Sequence, residues 1–403
     1  MISRELYLDQ LMKFVDKPLI KVITGVRRSG KSSLLILLKE LLLTRGVQPT
    51  QIVHINLESF VFAELDDAGK LYNHIAAAVN PKVKFYLLLD EIQEVRNWEK
   101  AINSMMVDFD CDIYITGSNS RLLSSDLATY LTGRYIEINV YPLSFAESLE
   151  FRNHFNPGSV PDRYTAFEQF IRMGGFPVLY TANYDLESAW KVVYDIYSSA
   201  ILRDTVQRNN IRDVELLERV VKYVFDNTGN RFSSKNVADY FKSQQRKIDL
   251  NTVYNYLNAL ESAFIIYRIP RYDVKGKEIL KTQEKYFVGD QAFLYAMSGY
   301  RDRYIAGILE NIVMLELLRR GYKVYTGKSG ESEIDFIAEN NATKIYIQVA
   351  FRMTEQSTVD REFNPLLEIK DHYPKYVLTM DTIWKDNIEG IRHLHIADWL
   401  MGE

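Results

Sequence analysis

The chain has 403 residues, 47% of them hydrophobic and 25% charged, with a formal net charge of −4 at pH 7. That is the make-up of a folded protein of roughly two to three domains, and it excludes both a disordered chain and one that coats nucleic acid by bulk charge, although a local basic patch stays open. Its one cysteine, Cys111, excludes an intramolecular disulfide framework; the N-terminal stretch carries acids, and the most apolar run, residues 34–43, is broken by Lys39 and Glu40, so a cytoplasmic protein without a signal peptide or membrane span is expected.

In chain order, the first stretch with a chemical reading is Gly25-Val26-Arg27-Arg28-Ser29-Gly30-Lys31-Ser32. It fits G-x-x-x-x-G-K-[ST], with a strand pattern before it at 19–23 and a helix pattern after it at 34–43. Such a loop wraps a triphosphate. Gly25 and Gly30 let backbone N–H groups turn towards phosphate oxygens, Lys31 neutralises the β- and γ-phosphates, and the Ser32 hydroxyl ligates Mg²⁺. Arg28, Ser29 and Ser33 belong to the same candidate nucleotide-binding set, and Arg27 and Arg28 are as readily solvated as bound.

The next signal is KFYLLLDEIQ, residues 84–93. Its continuous apolar run predicts a strand buried on both faces of a parallel sheet, with Asp90 emerging at the C-terminal end, where such sheets bind ligands. Asp90 is assigned to the metal shell and Glu91 to orienting or deprotonating the attacking water. A further strand in CDIYITGSNSRLL carries Ser118 and Asn119 to the same edge, placed to bond the γ-phosphate or the water. After it, Gly133-Arg134 precedes a strand at 135–140. Arg134 could face the γ-phosphate of its own subunit or a neighbour's, or pair with Glu137 or Asp126.

Taken together and in this order, GVRRSGKSS, LLLDEIQ, ITGSNS, LTGRY, PLSFAE and GGFP (174–177) resemble the bacterial and archaeal AAA-type ATPases whose C-terminal half is nuclease-related. The resemblance covers essentially the whole chain. It implies an α/β P-loop NTPase core with a parallel sheet, followed by a winged-helix segment and a restriction-endonuclease-like α/β domain, with ATP and Mg²⁺ as cofactors. The corresponding divisions are 1–160 for the ATPase core, 161–212 for a helical lid or connector, 213–300 for the winged helix and 301–403 for the nuclease-like domain. Asn119 falls at the AAA sensor position, and Arg134 lies in the region from which an arginine finger acts.

The C-terminal half carries weaker signals. Between residues 164 and 212 a helical pattern puts Trp190, Val193, Tyr194 and Tyr197 on one face. From 213 the order is helix, capped short helix, longer helix and a strand pair turning at Lys275-Gly276-Lys277, as in a winged helix. Its candidate groove helix, 251–262, contains no Lys or Arg, and over 213–290 the basic residues barely outnumber the acidic ones. Phosphate affinity needs cations, so DNA and a protein partner both remain open, as does a homo-oligomer. Restriction-type nucleases place a glutamate on a helix, an aspartate on one strand and E-x-K on the next. Here the positions hold Glu310, Asp335 and Gln348-Val349-Ala350. Glutamine is a weaker metal ligand, alanine cannot replace the lysine, and Arg352 does not release a proton near neutral pH, so a silent domain is expected. His393 and His395 share a strand face without a third ligand in register and are expected to be core or edge residues. The leading expectation is an ATP-hydrolysing switch or motor. The alternatives are a slow nucleotide-dependent regulator of protein interactions and an ATP-gated nuclease.

Overall fold

Runs of β-branched and aromatic residues form five strands in the N-terminal part: β1 (Ile20–Thr24), β2 (Ile52–Asn56), β3 (Phe85–Asp90), β4 (Cys111–Thr116) and β5 (Tyr135–Asn139). The structure, a computed structural model, describes residues 2–120, 133–158, 161–243, 249–276, 278–299, 301–330, 332–341, 343–383 and 387–402. Asp126 and Lys277, both named above, lie outside the described residues. The five strands are parallel, in the order β2-β3-β4-β1-β5. The central strands are buried almost throughout because helices cover both faces. Leu34, Leu35 and Leu38 of the helix Lys31–Thr44 pack with Ile23, Leu88 and Tyr114 on one side. On the other, Leu71, Ile75, Trp98 and Ile102 of the helices Ala68–Ala78 and Trp98–Asp108 close on Val22, Leu87 and Ile115. One polar residue breaks the apolar run of β1. Lys21 is buried and its ammonium pairs with Asp112, which also accepts from the Tyr114 hydroxyl at 2.8 Å, so the charge is matched where it is desolvated.

The chain divides into two compact units, Met1–Val140 with Ser262–Phe264, and Tyr141–Glu261 with Ile265–Glu403. The second begins with helices Phe145–Phe155, Arg163–Met173 and Leu186–Ser199. On the last of these, Val193 and Tyr197 are buried and Trp190 stacks on Tyr295 at 5.7 Å. Tyr194, expected on the same face, is half exposed instead, because the buried stripe is narrower than the aromatic one.

Helices Val214–Asp226, Ser234–Ser243 and Leu250–Ser262 follow, with β6 (Arg231–Phe232) after the first and the hairpin β7 (Ile266–Asp273) and β8 (Glu278–Val288) after the last. The helix Ile305–Arg319 leads into β9 (Lys323–Ser329), β10 (Ser332–Glu339) and β11 (Lys344–Val349). After the helix Gln356–Leu367 come β12 (Lys375–Thr379), β13 (Asn387–Ile388) and β14 (Ile391–His395). All nine strands join one mixed sheet, β13-β14-β12-β11-β10-β9-β7-β8-β6. Its ladder runs across residue 300, because β7 pairs in parallel with β9, Arg271 opposite Thr326. Register shifts interrupt β7 against β8 at Ile269/Arg271 and β9 against β10 at Ile334/Ile337, and such irregularities bend a sheet locally.

The Gly174-Gly175 pair has a packing reason. Gly174 sits at φ +79°, and a Cβ there would meet Asp290 Oδ1 at 2.1 Å and the Ala292 Cβ at 2.5 Å. The Gly175 N–H donates to Asp290 Oδ2 at 2.7 Å, and burial pushes the Asp290 carboxyl up to about 7. Gly174→Ala is expected to cost roughly 2–4 kcal/mol, through clash and backbone strain together. Urea unfolding of the variant checks it, and an unchanged midpoint would mean that the loop moves aside freely.

Candidate functional site

The phosphate loop leaves β1 at Gly25, whose φ is +142° and whose missing Cβ makes room for the Val140 carbonyl oxygen, 2.2 Å from where it would stand. Gly30, at φ +101°, opens the helix Lys31–Thr44. No L side chain adopts these turns easily, which is why the spacing needs glycine at both. Lys31 is buried, and its ammonium donates to the carbonyls of Gly25 at 3.0 Å and Val26 at 3.1 Å. Arg4 donates to the Ser29 carbonyl at 2.9 Å, and the Ser29 hydroxyl is buried without a hydrogen-bond partner among the described residues. A buried hydroxyl left unmatched beside a buried ammonium at a helix N-terminus fits a phosphate group. Ser32 is half-buried, whereas Arg28 and Ser33 are exposed. Arg27 pairs with Glu58 at 2.7 Å.

Asp90 ends β3 and is buried, with burial pushing its carboxyl up while hydrogen bonds from Thr116 and Ser32 pull it down. The structure thus brings together the two residues assigned to the metal. A magnesium ion held by Ser32 and, through water, by Asp90 would supply positive charge against the phosphates. Glu91 follows at φ +55°, a backbone conformation rarely taken by a glutamate and often kept where function requires it. Its N–H donates to the Thr116 hydroxyl at 2.9 Å, and the same hydroxyl donates to Asp90, so one threonine fixes both acids. The Gln93 amide donates to the Glu91 carboxylate. Ser118 and Asn119 are buried just beyond β4, where the Gly117 N–H bonds the Ile23 carbonyl at 3.1 Å. They therefore lie at the edge that carries the phosphate loop.

Arg134 does not. Its carbonyl accepts from the Ile20 N–H at 2.8 Å, at the start of β1, and its guanidinium reaches Asn103 at 3.3 Å. Since β5 runs parallel to β1, with Ile20 opposite Tyr135 and Thr24 opposite Asn139, Arg134 stands at the N-terminal edge of the sheet. The phosphate loop is at the other edge, about 16 Å away along five strand residues. The expectation that Arg134 could face its own γ-phosphate is corrected: the parallel register puts it at the wrong end. Sequence reasoning also missed Thr116, Gln93 and Arg4. Thr116 had a signal, a hydroxyl closing a buried strand beside the acidic one.

A second polar cluster lies in the second unit. The Lys285 ammonium on β8 meets Glu310 and Glu333 at 3.0 Å each and Asp335 at 3.6 Å. Burial alone would lower the Lys285 pKa, but Glu310, Asp335 and Glu333 more than offset it and hold it above the usual lysine range. Burial pushes the Glu310 and Asp335 carboxyls up, against the pull of Lys285. Gln348, at the motif position of a metal ligand, accepts from the Asp335 N–H at 2.7 Å and donates to Glu362 at 3.2 Å. Ala350 brings no amine, and the one that meets Glu310 and Asp335 is that of Lys285, two strands beyond β9. His393 bonds Thr379 at 2.9 Å and His395 caps the helix Ile396–Leu400 through the Ala397 N–H at 3.0 Å. Both histidines are structural.

With the geometry in place, comparison defines the class. A family model described as "AAA domain" matches residues 17–149, and one described as a domain of unknown function matches 164–304. The first unit is an AAA domain with a five-stranded parallel sheet. More particularly, the chain belongs to the family of an "Uncharacterized protein" of Haemophilus influenzae, 40% identical over 403 residues that span 100% of this chain and 99% of that one. "Uncharacterized protein MJ1544" of Methanocaldococcus jannaschii is 33% identical over 83% of this chain and 75% of its own. Among solved structures, the Walker-type ATPase PABY2304 of Pyrococcus abyssi shares the fold, with a TM-score of 0.54 at 17% identity over 74% of this chain and 96% of that one.

Proposed function

We propose that the chain hydrolyses ATP and uses the cycle as a switch or motor whose C-terminal half engages a partner. What carries this reading is the tie from Thr116 to both Asp90 and Glu91 beside Ser32, which holds a metal-binding acid and a water-orienting acid at the phosphate loop. Lys31 and Ser29 hold the phosphates, Ser32 and Asp90 the magnesium, Asn119 senses the γ-phosphate, and Glu91 orients and deprotonates the water. Arg134 has no part in hydrolysis by its own subunit.

In this reading, residues 213–300 act as a winged helix and 301–403 as a restriction-endonuclease-like domain, with DNA as the partner. The helix Leu250–Ser262 favours a second reading: it carries no cation, and Tyr254 is 53% and Leu250 43% exposed, which suits a protein surface. Steady-state ATP turnover with and without duplex DNA separates the two. Stimulation of several-fold is expected if DNA is the partner, and turnover indifferent to DNA supports the protein-directed regulator. A chain that turns over no ATP in either condition removes the proposal altogether. Among the described residues, no helix is long and apolar enough to cross a membrane.

A further inference from the structure

A water that attacks phosphorus gives one proton to a base, and its second proton needs an acceptor if the lone pair is to keep one direction. Glu91 accounts for the first only. A second acceptor stands two residues later. Gln93 lies in the short turn Ile92–Glu94, which begins directly after Glu91 and is closed by the Glu94 N–H on the Glu91 carbonyl at 3.1 Å. Ile92, fully buried, and Val95, 2% exposed, anchor this turn in the core on either side of Gln93. The backbone that carries the side chain is therefore held in place.

The Gln93 amide nitrogen donates to Glu91 Oε2. A carboxylate only accepts, so this bond also decides which way the amide is turned. The end left over is the carbonyl oxygen, Gln93 Oε1, and it is buried with no hydrogen-bond partner among the described residues. A buried acceptor left unmatched is costly, and folded proteins keep few of them unless something polar enters. A glutamine that served only to hold Glu91 would gain nothing from burying that oxygen.

On the ATPase reading of this site, we propose that Gln93 positions the attacking water, its amide N–H holding Glu91 Oε2 and its Oε1 accepting the water proton that Glu91 does not take. The water oxygen bonds to the γ-phosphorus as the bond from that phosphorus to the β,γ-bridging oxygen breaks, and the electron pair leaves on ADP. One water proton passes to Glu91 Oε1, the other stays on the oxygen that has joined the phosphate, and Gln93 neither gains nor loses one. Thr116 fixes the backbone of Glu91, and Gln93 fixes its carboxylate.

The test follows single-turnover ATP hydrolysis and ATP affinity of the full chain with Mg²⁺, for Gln93→Met alone and combined with Glu91→Gln. Gln93→Met is expected to hydrolyse about 10- to 10²-fold more slowly while binding ATP within a few-fold of the parent. In the Glu91→Gln background the same substitution is expected to cost less than about threefold, because the two residues act on one water as a unit. Hydrolysis by Gln93→Met at the parental rate overturns the proposal. So does a loss explained by weaker ATP binding, or an equal loss in both backgrounds, since either makes Gln93 a structural residue; all three leave the ATPase reading standing. A parent chain that hydrolyses no ATP overturns that reading and the proposal with it. Should Gln93→Met not fold, Gln93→Glu, equal in shape, sets a second carboxylate against Glu91 in place of the donor, and hydrolysis at the parental rate in that variant overturns the proposal too.

Discussion

Lys31→Ala is expected to abolish ATP binding, weakening it by roughly 10²-fold or more. The Lys31 ammonium is the buried cation of the loop and at present rests on the Gly25 and Val26 carbonyls. Charge-assisted hydrogen bonds of this kind contribute about 1.5–3 kcal/mol each, and their loss leaves the β- and γ-phosphate charge unmatched in a partly desolvated loop. Titration with a fluorescent ATP analogue in Mg²⁺ reads the effect directly. Unchanged affinity would remove the foundation of the ATPase reading, because no other residue of the loop offers a buried positive charge to the phosphates.

Glu91→Gln separates binding from turnover. The amide keeps a hydrogen bond to water but cannot accept its proton, so nucleotide affinity is expected to stay within a few-fold of the parent while single-turnover hydrolysis falls by about 10²–10⁴-fold. The fold should survive, since the backbone N–H of residue 91 keeps its bond to Thr116 and the glutamine carbonyl oxygen can still accept from the Gln93 amide. Hydrolysis at the parent rate would move the base elsewhere, and Asp90, already committed to Thr116 and Ser32, would be the next residue to substitute.

The phosphate loop was legible because its parts are contiguous: two glycines, a lysine and a serine within eight positions can make little else between a strand and a helix. Asp90 and Glu91 were legible for a similar reason, an acidic pair ending a run too apolar for anything but a doubly covered strand. Thr116 escaped because its role depends on β4 lying beside β3, an order that local pattern does not specify. Arg134 misled for the same cause. A Gly-Arg turn before a strand says nothing about which edge of the sheet the turn occupies, and the register with β1 decides it. Lys285 was illegible for a stronger reason. It sits on a hairpin that reads as part of another segment, and only the joining of that hairpin to one shared sheet brings its amine to Glu310 and Asp335.

The nine-strand ladder also limits how the molecule can be cut. A cleavage near residue 300 falls at a helical connection and looks like a natural place to separate two pieces, but it would strip β9 from β7 and bare a row of backbone donors and acceptors at Arg271 to Asp273. An N-terminal fragment ending there would carry a raw strand edge, the kind of template on which chains stack into aggregates. A C-terminal fragment beginning there would lack β8 and with it the cation that matches Glu310 and Asp335. Expression trials of the isolated halves would then yield insoluble or unstable material for a reason that concerns neither half's function.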